Sequence, residues 1–118
     1  MGKVTLSLLV LKTQQMERLL SFYSSLGIEL TEEKHGNGPA HYAGRIGDAV
    51  IEVYPLSKKD LPPDVTMRLG FTVEKLERVM HSLKAIGTTI ITEPQATKWG
   101  VRAEVQDPDG RAVELYQR

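Results

Sequence analysis

The chain of 118 residues is long enough for one domain with its own hydrophobic core. Its 15 basic and 15 acidic residues balance, so no overall charge favours nucleic acid or an anionic membrane as a partner. The absence of cysteine excludes disulfides, thiolate catalysis and cysteine-ligated zinc. The first apolar run is too short for a membrane span and lacks a signal-peptide cleavage site, so we expect a cytoplasmic protein.

The first half of the chain predicts a strand, a helix and three further strands. Residues 4–11 are apolar on both faces, which is typical of a central strand. Thr13 is the expected cap of the helix, and Gly27 follows its last turn. The apolar stripe of this helix consists of Met16, Leu19, Leu20, Tyr23 and Leu26. Strands are expected at 28–33, 40–46 and 49–54, with a Gly-rich loop at 35–39 and a hairpin turn at 47–48.

The second half repeats this order after a linker-like segment at 57–64, which contains two prolines. A strand is predicted at 66–73, with Leu69, Phe71 and Val73 on one face. A helix is predicted at 74–86, and Gly87 ends it. Residues 88–92 predict a strand and 93–98 a loop. The last hairpin is expected to join strands 102–106 and 112–117 through a turn with Pro108 and Gly110.

Each half carries a glutamate in the middle of its last strand. Gly27 and Gly87 lie 60 residues apart, and segments 50–54 and 112–116 lie 62 apart. Glu52 and Glu114 occupy the same place in the two segments. One explanation is that these carboxylates keep an edge strand soluble. The other is that they point into a pocket, and their recurrence at a fixed period favours the pocket.

Three short motifs resemble the vicinal oxygen chelate superfamily, which includes glyoxalase I, bleomycin-resistance proteins and extradiol dioxygenases. They are Phe22-Tyr23 with Leu26-Gly27, the segment 49–52, and the segment from Asp107-Pro108-Asp109-Gly110 to Glu114-Leu115. The resemblance covers the whole chain and implies an α+β fold in a single domain, residues 1–118. In it, two βαβββ repeats (about 3–56 and about 65–118) form a curved, cupped mixed sheet with the helices outside. The cup is the ligand site of the superfamily.

The metal-binding members of the superfamily hold a divalent ion on four side chains in this cup. Carried over to this sequence, two of the four positions are Glu52 and Glu114, which match. The other two fall on Leu8 and Arg68, which do not: leucine cannot coordinate a metal, and arginine stays protonated and has no acceptor. We therefore expect Arg68 to neutralise the carboxylates in place of a metal. No metal or cofactor is favoured, although a divalent metal is possible.

A different metal site is conceivable from the predicted hairpin. A two-residue turn at 47–48 places Ala43 opposite Glu52, so that His41 and Arg45 point into the cup beside Glu52. His41, Glu52 and Glu114 are therefore an alternative set of metal ligands. A single histidine on a strand is more often a polar pocket residue than a ligand.

The alternation of the strands predicts which side chains line the cup. The expected ligand-binding residues are Leu8, His41, Arg45, Glu52, Arg68, Trp99, Arg102, Glu114 and Tyr116. This mixture of apolar, aromatic and charged groups suits a small amphiphilic molecule. Trp99 lies in the loop before the seventh strand, where its ring can stack on a ligand or pack at the rim. Glu52 and Glu114 are the only candidates for catalysis.

Three functions fit these residues. The first is a binding protein without metal that sequesters a small molecule, like the bleomycin-resistance branch. The alternative is a metal-dependent lyase, isomerase or transferase of the glyoxalase type that uses Glu52 and Glu114. A third is an enzyme without metal in which one of these glutamates is the general base. Under all three, the resemblance implies a homodimer that completes the cup, with no nucleic-acid or membrane partner.

Overall fold

The computed structural model describes residues 2–57, 59 and 61–118. Lys58 and Asp60, two residues of the predicted linker, and Met1 lie outside the described residues. The elements are β1 (Leu8–Thr13), α1 (Met16–Ser25), β2 (Thr31–Glu33), β3 (His41–Ile46), β4 (Ala49–Pro55), β5 (Arg68–Thr72), α2 (Leu76–Ala85), β6 (Thr89–Thr97), β7 (Gly100–Gln106) and β8 (Ala112–Gln117).

The predicted repeat of strand, helix and three strands is confirmed. The strands form two four-stranded mixed sheets, with the orders β1-β4-β3-β2 and β5-β8-β7-β6. In each sheet the first and fourth strands of the repeat pair parallel, and the other pairs are antiparallel. A parallel pair needs a crossover connection, and α1 or α2 lies within it. The fold is therefore α+β with two equivalent halves.

The hydrophobic core lies between the helices and one face of each sheet. Helix α1 buries Leu19, Phe22 and Tyr23, and α2 buries Leu76, Val79, Met80 and Leu83. Alternate residues of β4 and β8 face them, among them Ile51, Val53, Val113 and Leu115, which are fully buried. Because successive strand residues point to opposite faces, Glu52 and Glu114 lie on the other, concave faces.

Glu52 and Glu114 do not lie on edge strands. Strand β4 lies between β1 and β3, and β8 lies between β5 and β7. The edge-solubility explanation for Glu52 and Glu114 is therefore wrong.

Strand β1 differs from its prediction as a central strand. It starts at Leu8 and is the edge of its sheet. Its helix-facing residues Leu11 and Thr13 are buried, whereas Leu8 and Val10 on the concave face are 52% and 39% exposed. Strand β1 is therefore apolar on both faces, but its apolar concave face is exposed to solvent.

Three further boundaries differ for identifiable reasons. Strand β6 continues to Thr97 through the predicted loop 93–98, because it is an edge strand where Pro94 needs no ladder partner and two register irregularities are tolerated. The predicted strand 28–33 is reduced to Thr31–Glu33. The residue that caps α1 is Gln15, and the Thr13 hydroxyl accepts a hydrogen bond from the Gln15 backbone N–H at 3.0 Å.

The turn Asp107–Arg111 joins the two halves of the chain. Asp107 Oδ1 accepts hydrogen bonds from the backbone N–H groups of Asp109, Gly110 and Arg111 at 2.9 to 3.1 Å, which closes the turn. Asp109 Oδ1 then accepts from the Thr13 hydroxyl at 3.1 Å and from Gln15 Nε2 at 2.8 Å. The turn of the second half is thus hydrogen-bonded to the residues that precede α1 in the first half.

Arg111 completes this junction from a buried position. Its Nη1 donates to Asp107 at 3.0 Å and to Asp109 at 3.1 Å, and its Nη2 donates to the Lys12 carbonyl at 2.9 Å. Burial alone would lower the pKa of Arg111, but hydrogen bonding to Asp107 and the Asp107 charge raise it on balance. The guanidinium therefore stays charged and paired inside the protein.

Among the described residues, no helix combines the length and the apolar character that crossing a lipid bilayer requires.

Candidate functional site

The concave face of the first sheet carries Glu52 in the predicted register. Ala43 pairs with Glu52 in the β3–β4 hairpin, and Arg45 pairs with Val50, so Arg45 shares the face of Glu52. On the other side of β4, Val10 of β1 is opposite Glu52. Glu52 is half-buried and lies in a surface that is apolar toward β1 and polar toward β3.

The concave face of the second sheet holds a network around Glu114. Arg102 Nε donates to Glu114 Oε1 at 2.9 Å, and Arg68 Nε lies 3.1 Å from Oε2. The Tyr116 hydroxyl also donates to Oε1, and Arg102 Nη2 donates to Glu104 at 3.0 Å. The predicted partnership of Arg68 with a glutamate is present, and Arg102 adds a second cation that the sequence did not single out for this role.

These contacts set the charge states of the network. Hydrogen bonds from Tyr116 and then from Arg102 hold the pKa of Glu114 below its usual range. The hydrogen bond to Glu114 raises the pKa of Arg102 above its already high value. Glu114 is therefore an ionised and fully engaged carboxylate near neutral pH, which makes it a poor proton acceptor.

The four positions that bind a metal in the superfamily do not fit one here. Leu8 offers no ligand atom, and Arg68 is itself a cation in contact with Glu114. Both Glu114 oxygens already face cationic or hydroxyl donors. The alternative set His41, Glu52 and Glu114 stays a prediction, and the strand order places its first two members on the first sheet and Glu114 on the second.

His41 lies in a cluster that the sequence did not reveal. Its Nε2 is 3.5 Å from Glu33 Oε1 and 3.8 Å from Glu52 Oε2, and His35 Nε2 is 3.5 Å from the same Glu33 oxygen. Glu33 pairs directly with His41 across β2 and β3. The seven-residue connection between these strands made that register unpredictable from the sequence, although the spacing Glu33-x-His35 was a usable signal.

Trp99 and Arg45 lie at the margins of the concave faces. Trp99 occupies the turn between β6 and β7 and is 68% exposed, with the Lys98 ammonium 4.7 Å from its ring centroid. Arg45 is exposed, and its Nη2 lies 3.4 Å from the Asp48 carbonyl at the hairpin turn. Neither side chain is held in the core, so both are free to contact a ligand.

An open cleft of about 1150 Å³ separates the two halves. Its walls include Arg45 and Arg68, but also residues on or next to the two helices, such as Ser24 and Arg78. The other predicted ligand residues, Glu52 and Glu114 among them, do not line it. The predicted ligand residues Arg45 and Arg68 therefore face one space, although they belong to different sheets.

The fold and these faces define a duplicated βαβββ protein with half-buried carboxylates on two concave sheets. A family model described as Glyoxalase/Bleomycin resistance protein/Dioxygenase superfamily matches residues 5–115. The chain therefore belongs to this superfamily, as the sequence motifs predicted.

Solved structures share the fold at low sequence identity. TnmS3, an antibiotic binding protein from Streptomyces sp. CB03234, has a TM-score of 0.70 at 21% identity, over 99% of this chain and 98% of that one. A glyoxalase/bleomycin resistance protein from the same organism has a TM-score of 0.71 at 20% identity, over 96% and 100%. Oxidase ChaP-H2 has a TM-score of 0.75 at 16% identity, over 99% and 95%. Comparison with curated protein sequences found no match.

Proposed function

We propose that this protein binds a small amphiphilic molecule between its concave faces and sequesters it without a metal at the four positions that the superfamily uses. The observation that carries this proposal is the pairing of Glu114 with Arg68 and Arg102. With Glu104, which also pairs with Arg102, the charges of this network balance, and the exposed Arg68 guanidinium offers donors to a polar ligand group. Such a network binds and orients a ligand without offering a free base or an open metal position.

The remaining contacts of the ligand are apolar and aromatic. Leu6, Leu8 and Val10 expose 61%, 52% and 39% of their surface on and just before β1. Exposed apolar side chains in one row favour a ligand with an extended hydrophobic part. We assign the polar end of the ligand to Arg68, Arg102 and Tyr116. Trp99 and Arg45 belong to the rim, whereas His41 is buried beside Glu52.

The antibiotic-binding neighbour supports the same kind of ligand. TnmS3 is an antibiotic binding protein, and its fold matches over nearly the whole chain. We extend to this protein only the class of ligand, a small molecule with both polar and apolar parts. A cytoplasmic location remains part of the proposal.

We also propose a homodimer, because each concave face is open in the single chain. No strand of the first sheet pairs with the second among the described residues. The exposed edge of β1, with Leu8 and Val10 beside it, is a surface that a second copy can cover. In that arrangement the first sheet of one chain and the second sheet of its partner enclose the ligand.

The proposal is tested by a thermal-shift screen of chelator-treated protein against aromatic antibiotics and metabolites, because a ligand of the native state raises its stability. A hit is measured by calorimetry with wild type and with Arg68→Ala and Arg102→Ala. We expect one ligand per cup and weaker binding by both variants, with no conversion of the ligand. Lys84→Ala on α2 is the control, since Lys84 is an exposed cation that does not line the cleft between the halves.

The alternative is the metal-dependent lyase, isomerase or transferase that uses Glu52 and Glu114. Its support is that both carboxylates of the superfamily set are retained and half-buried. Turnover that requires an added divalent metal and disappears in Glu114→Ala would favour this alternative and reject sequestration. Ligand protection without any product would favour sequestration.

A further inference from the structure

The His41 side chain has an unusual environment at the start of β3. It is 2% exposed, and its ring stacks on Tyr54 with 4.2 Å between centroids and 8° between planes. Nδ1 lies 3.2 Å from the Pro39 carbonyl, which can only accept, so Nδ1 carries the proton in this contact. In a neutral ring, Nε2 then presents a lone pair. Among the described residues, it is the only buried side-chain nitrogen or oxygen without a hydrogen-bond partner.

Two carboxylates face this lone pair. Glu33 Oε1 lies 3.5 Å and Glu52 Oε2 lies 3.8 Å from His41 Nε2. Both distances are longer than a good hydrogen bond, so neither carboxylate satisfies Nε2. A cation bound to the lone pair of Nε2 and to the Glu33 carboxylate would satisfy both groups.

The spacing of these atoms fits a tetrahedral metal ion. The ligand atoms of Glu33, His35 and His41 lie within 4.8 Å of one another. Around zinc, with bonds of about 2.0 to 2.1 Å, neighbouring ligand atoms are about 3.3 to 3.5 Å apart. The two contacts of 3.5 Å, from Glu33 Oε1 to His35 Nε2 and to His41 Nε2, are close to that separation.

We propose that the protein binds one zinc ion at the end of the first sheet where β2 and β3 meet. The ligands are His41 Nε2, His35 Nε2 and Glu33 Oε1. Imidazole nitrogens and carboxylate oxygens are ordinary zinc ligands, and three of them leave the fourth tetrahedral position for a water molecule. The contact of His41 Nδ1 with a backbone carbonyl is the outer contact that orients histidine ligands. None of these three ligands occupies a position that the superfamily uses for its metal.

The zinc ion adds a link between the loop and the sheet. Glu33 ends β2, His35 belongs to the connecting loop and His41 begins β3. Bound zinc therefore anchors residues 34–40 to the sheet, with Glu52 of the concave face next to the site.

The test uses chelator-treated protein without a histidine tag. Zinc is titrated by calorimetry, and cobalt is titrated as a spectroscopic substitute whose visible absorption reports tetrahedral coordination. We expect one equivalent of zinc per chain, and binding weakened at least about tenfold in His35→Ala and in Glu33→Gln. His35 is 77% exposed, so its removal leaves the fold intact even where His41→Ala fails to fold. His81→Ala, at an exposed position of α2, is the control and binds zinc like wild type.

Two results would overturn the proposal. One is wild-type protein that takes up neither zinc nor cobalt. The other is undiminished zinc affinity in both His35→Ala and Glu33→Gln. Ligand binding in the cup is measured separately through Arg68→Ala and Arg102→Ala, so the two proposals fail independently.

Discussion

The Tyr23 hydroxyl donates a 2.7 Å hydrogen bond to Asp107 Oδ2, and both residues are buried. The bond connects the first helix to the last hairpin turn, 84 residues away in sequence. Burial, followed by the Asp107 charge, raises the pKa of Tyr23 well above its usual value. The phenol therefore stays a neutral donor. Asp107 Oδ2 accepts hydrogen bonds from both the Tyr23 hydroxyl and the Arg111 guanidinium.

Loss of this hydrogen bond is expected to destabilise the whole protein. Tyr23→Phe leaves Asp107 with one partner fewer in a buried site, which costs about 1 to 3 kcal/mol of unfolding free energy. Urea denaturation measures this change. Tyr42→Phe is the matched control, because the Tyr42 hydroxyl makes a 3.3 Å bond to Glu32 at the surface, and we expect a change below about 0.5 kcal/mol there. Equal effects of the two substitutions would contradict the role of the buried bond.

A glycine substitution tests the packing of residues 28–30 over β3. A Cβ added at Gly44 overlaps the Glu29 carbonyl oxygen and lies 3.1 Å from the Ile28 side chain. Gly44→Ala should therefore destabilise the protein by about 1 to 3 kcal/mol in urea denaturation. Gly70→Ala in β5 is the control, since its nearest neighbour would be the Tyr116 ring at 3.6 Å. If Gly44→Ala is as stable as Gly70→Ala, the close approach is not real.

The pH dependence of stability should report the Glu114 network. The pKa of Glu114 is lower in the folded protein than in the unfolded chain, chiefly because Tyr116 and Arg102 donate to the carboxylate. Its contribution to stability is therefore complete above the unfolded pKa, about 4.3. The contribution is lost as the pH falls through the lower folded value.

This contribution is measured by urea denaturation of wild type and Glu114→Gln between pH 7 and the acid limit of folding. The stability difference between the two should be constant above about pH 5 and shrink below about pH 4. Glu77→Gln, at an exposed position of α2, should show no such trend. A stability difference that grows on acidification would reverse the sign and refute the assignment.

An acidic residue on the concave face of β1 should prevent dimerisation. Leu8 is 52% exposed in the single chain, so Leu8→Asp removes few contacts within that chain and places a charge in the proposed interface. Light scattering after size exclusion should give a dimer for wild type and a monomer for Leu8→Asp. Leu61→Asp, at another exposed leucine, should remain dimeric. A monomeric wild type would reject the shared cup.

The single tryptophan should report ligand binding directly. Trp99 is 68% exposed at the rim, and no other tryptophan contributes to the emission. A ligand that stacks on the ring should quench or shift the fluorescence with a saturable profile. Trp99→Ala should weaken binding by about 1 kcal/mol with little effect on unfolding. Calorimetric binding that leaves the emission unchanged would place the ligand away from this rim.

Much of the fold follows from local patterns along the chain. The alternation of β4 and β8, the burial of Leu19 and Tyr23 in α1 and the glycines after the two helices are properties of neighbouring residues, and all are present in the structure. Phe22, which is also buried, lies outside the predicted stripe of α1. The boundaries that failed depend on neighbours in space. Strand β6 extends through Pro94 because it lies at a sheet edge, and no residue within 93–98 carries that information.

The site divides in the same way. Local patterns were enough to predict the repeat, the superfamily, the two glutamates on the concave faces and the pairing of Arg68 with a glutamate. Only the folded chain shows that this glutamate is Glu114 and that Arg102 and Tyr116 share its carboxylate. The same is true of Asp107 and Arg111, which join the two halves, and of Glu33 and His35, which meet His41. These contacts join different strands, turns and loops. They depend on strand register and loop path, which only the packed chain fixes.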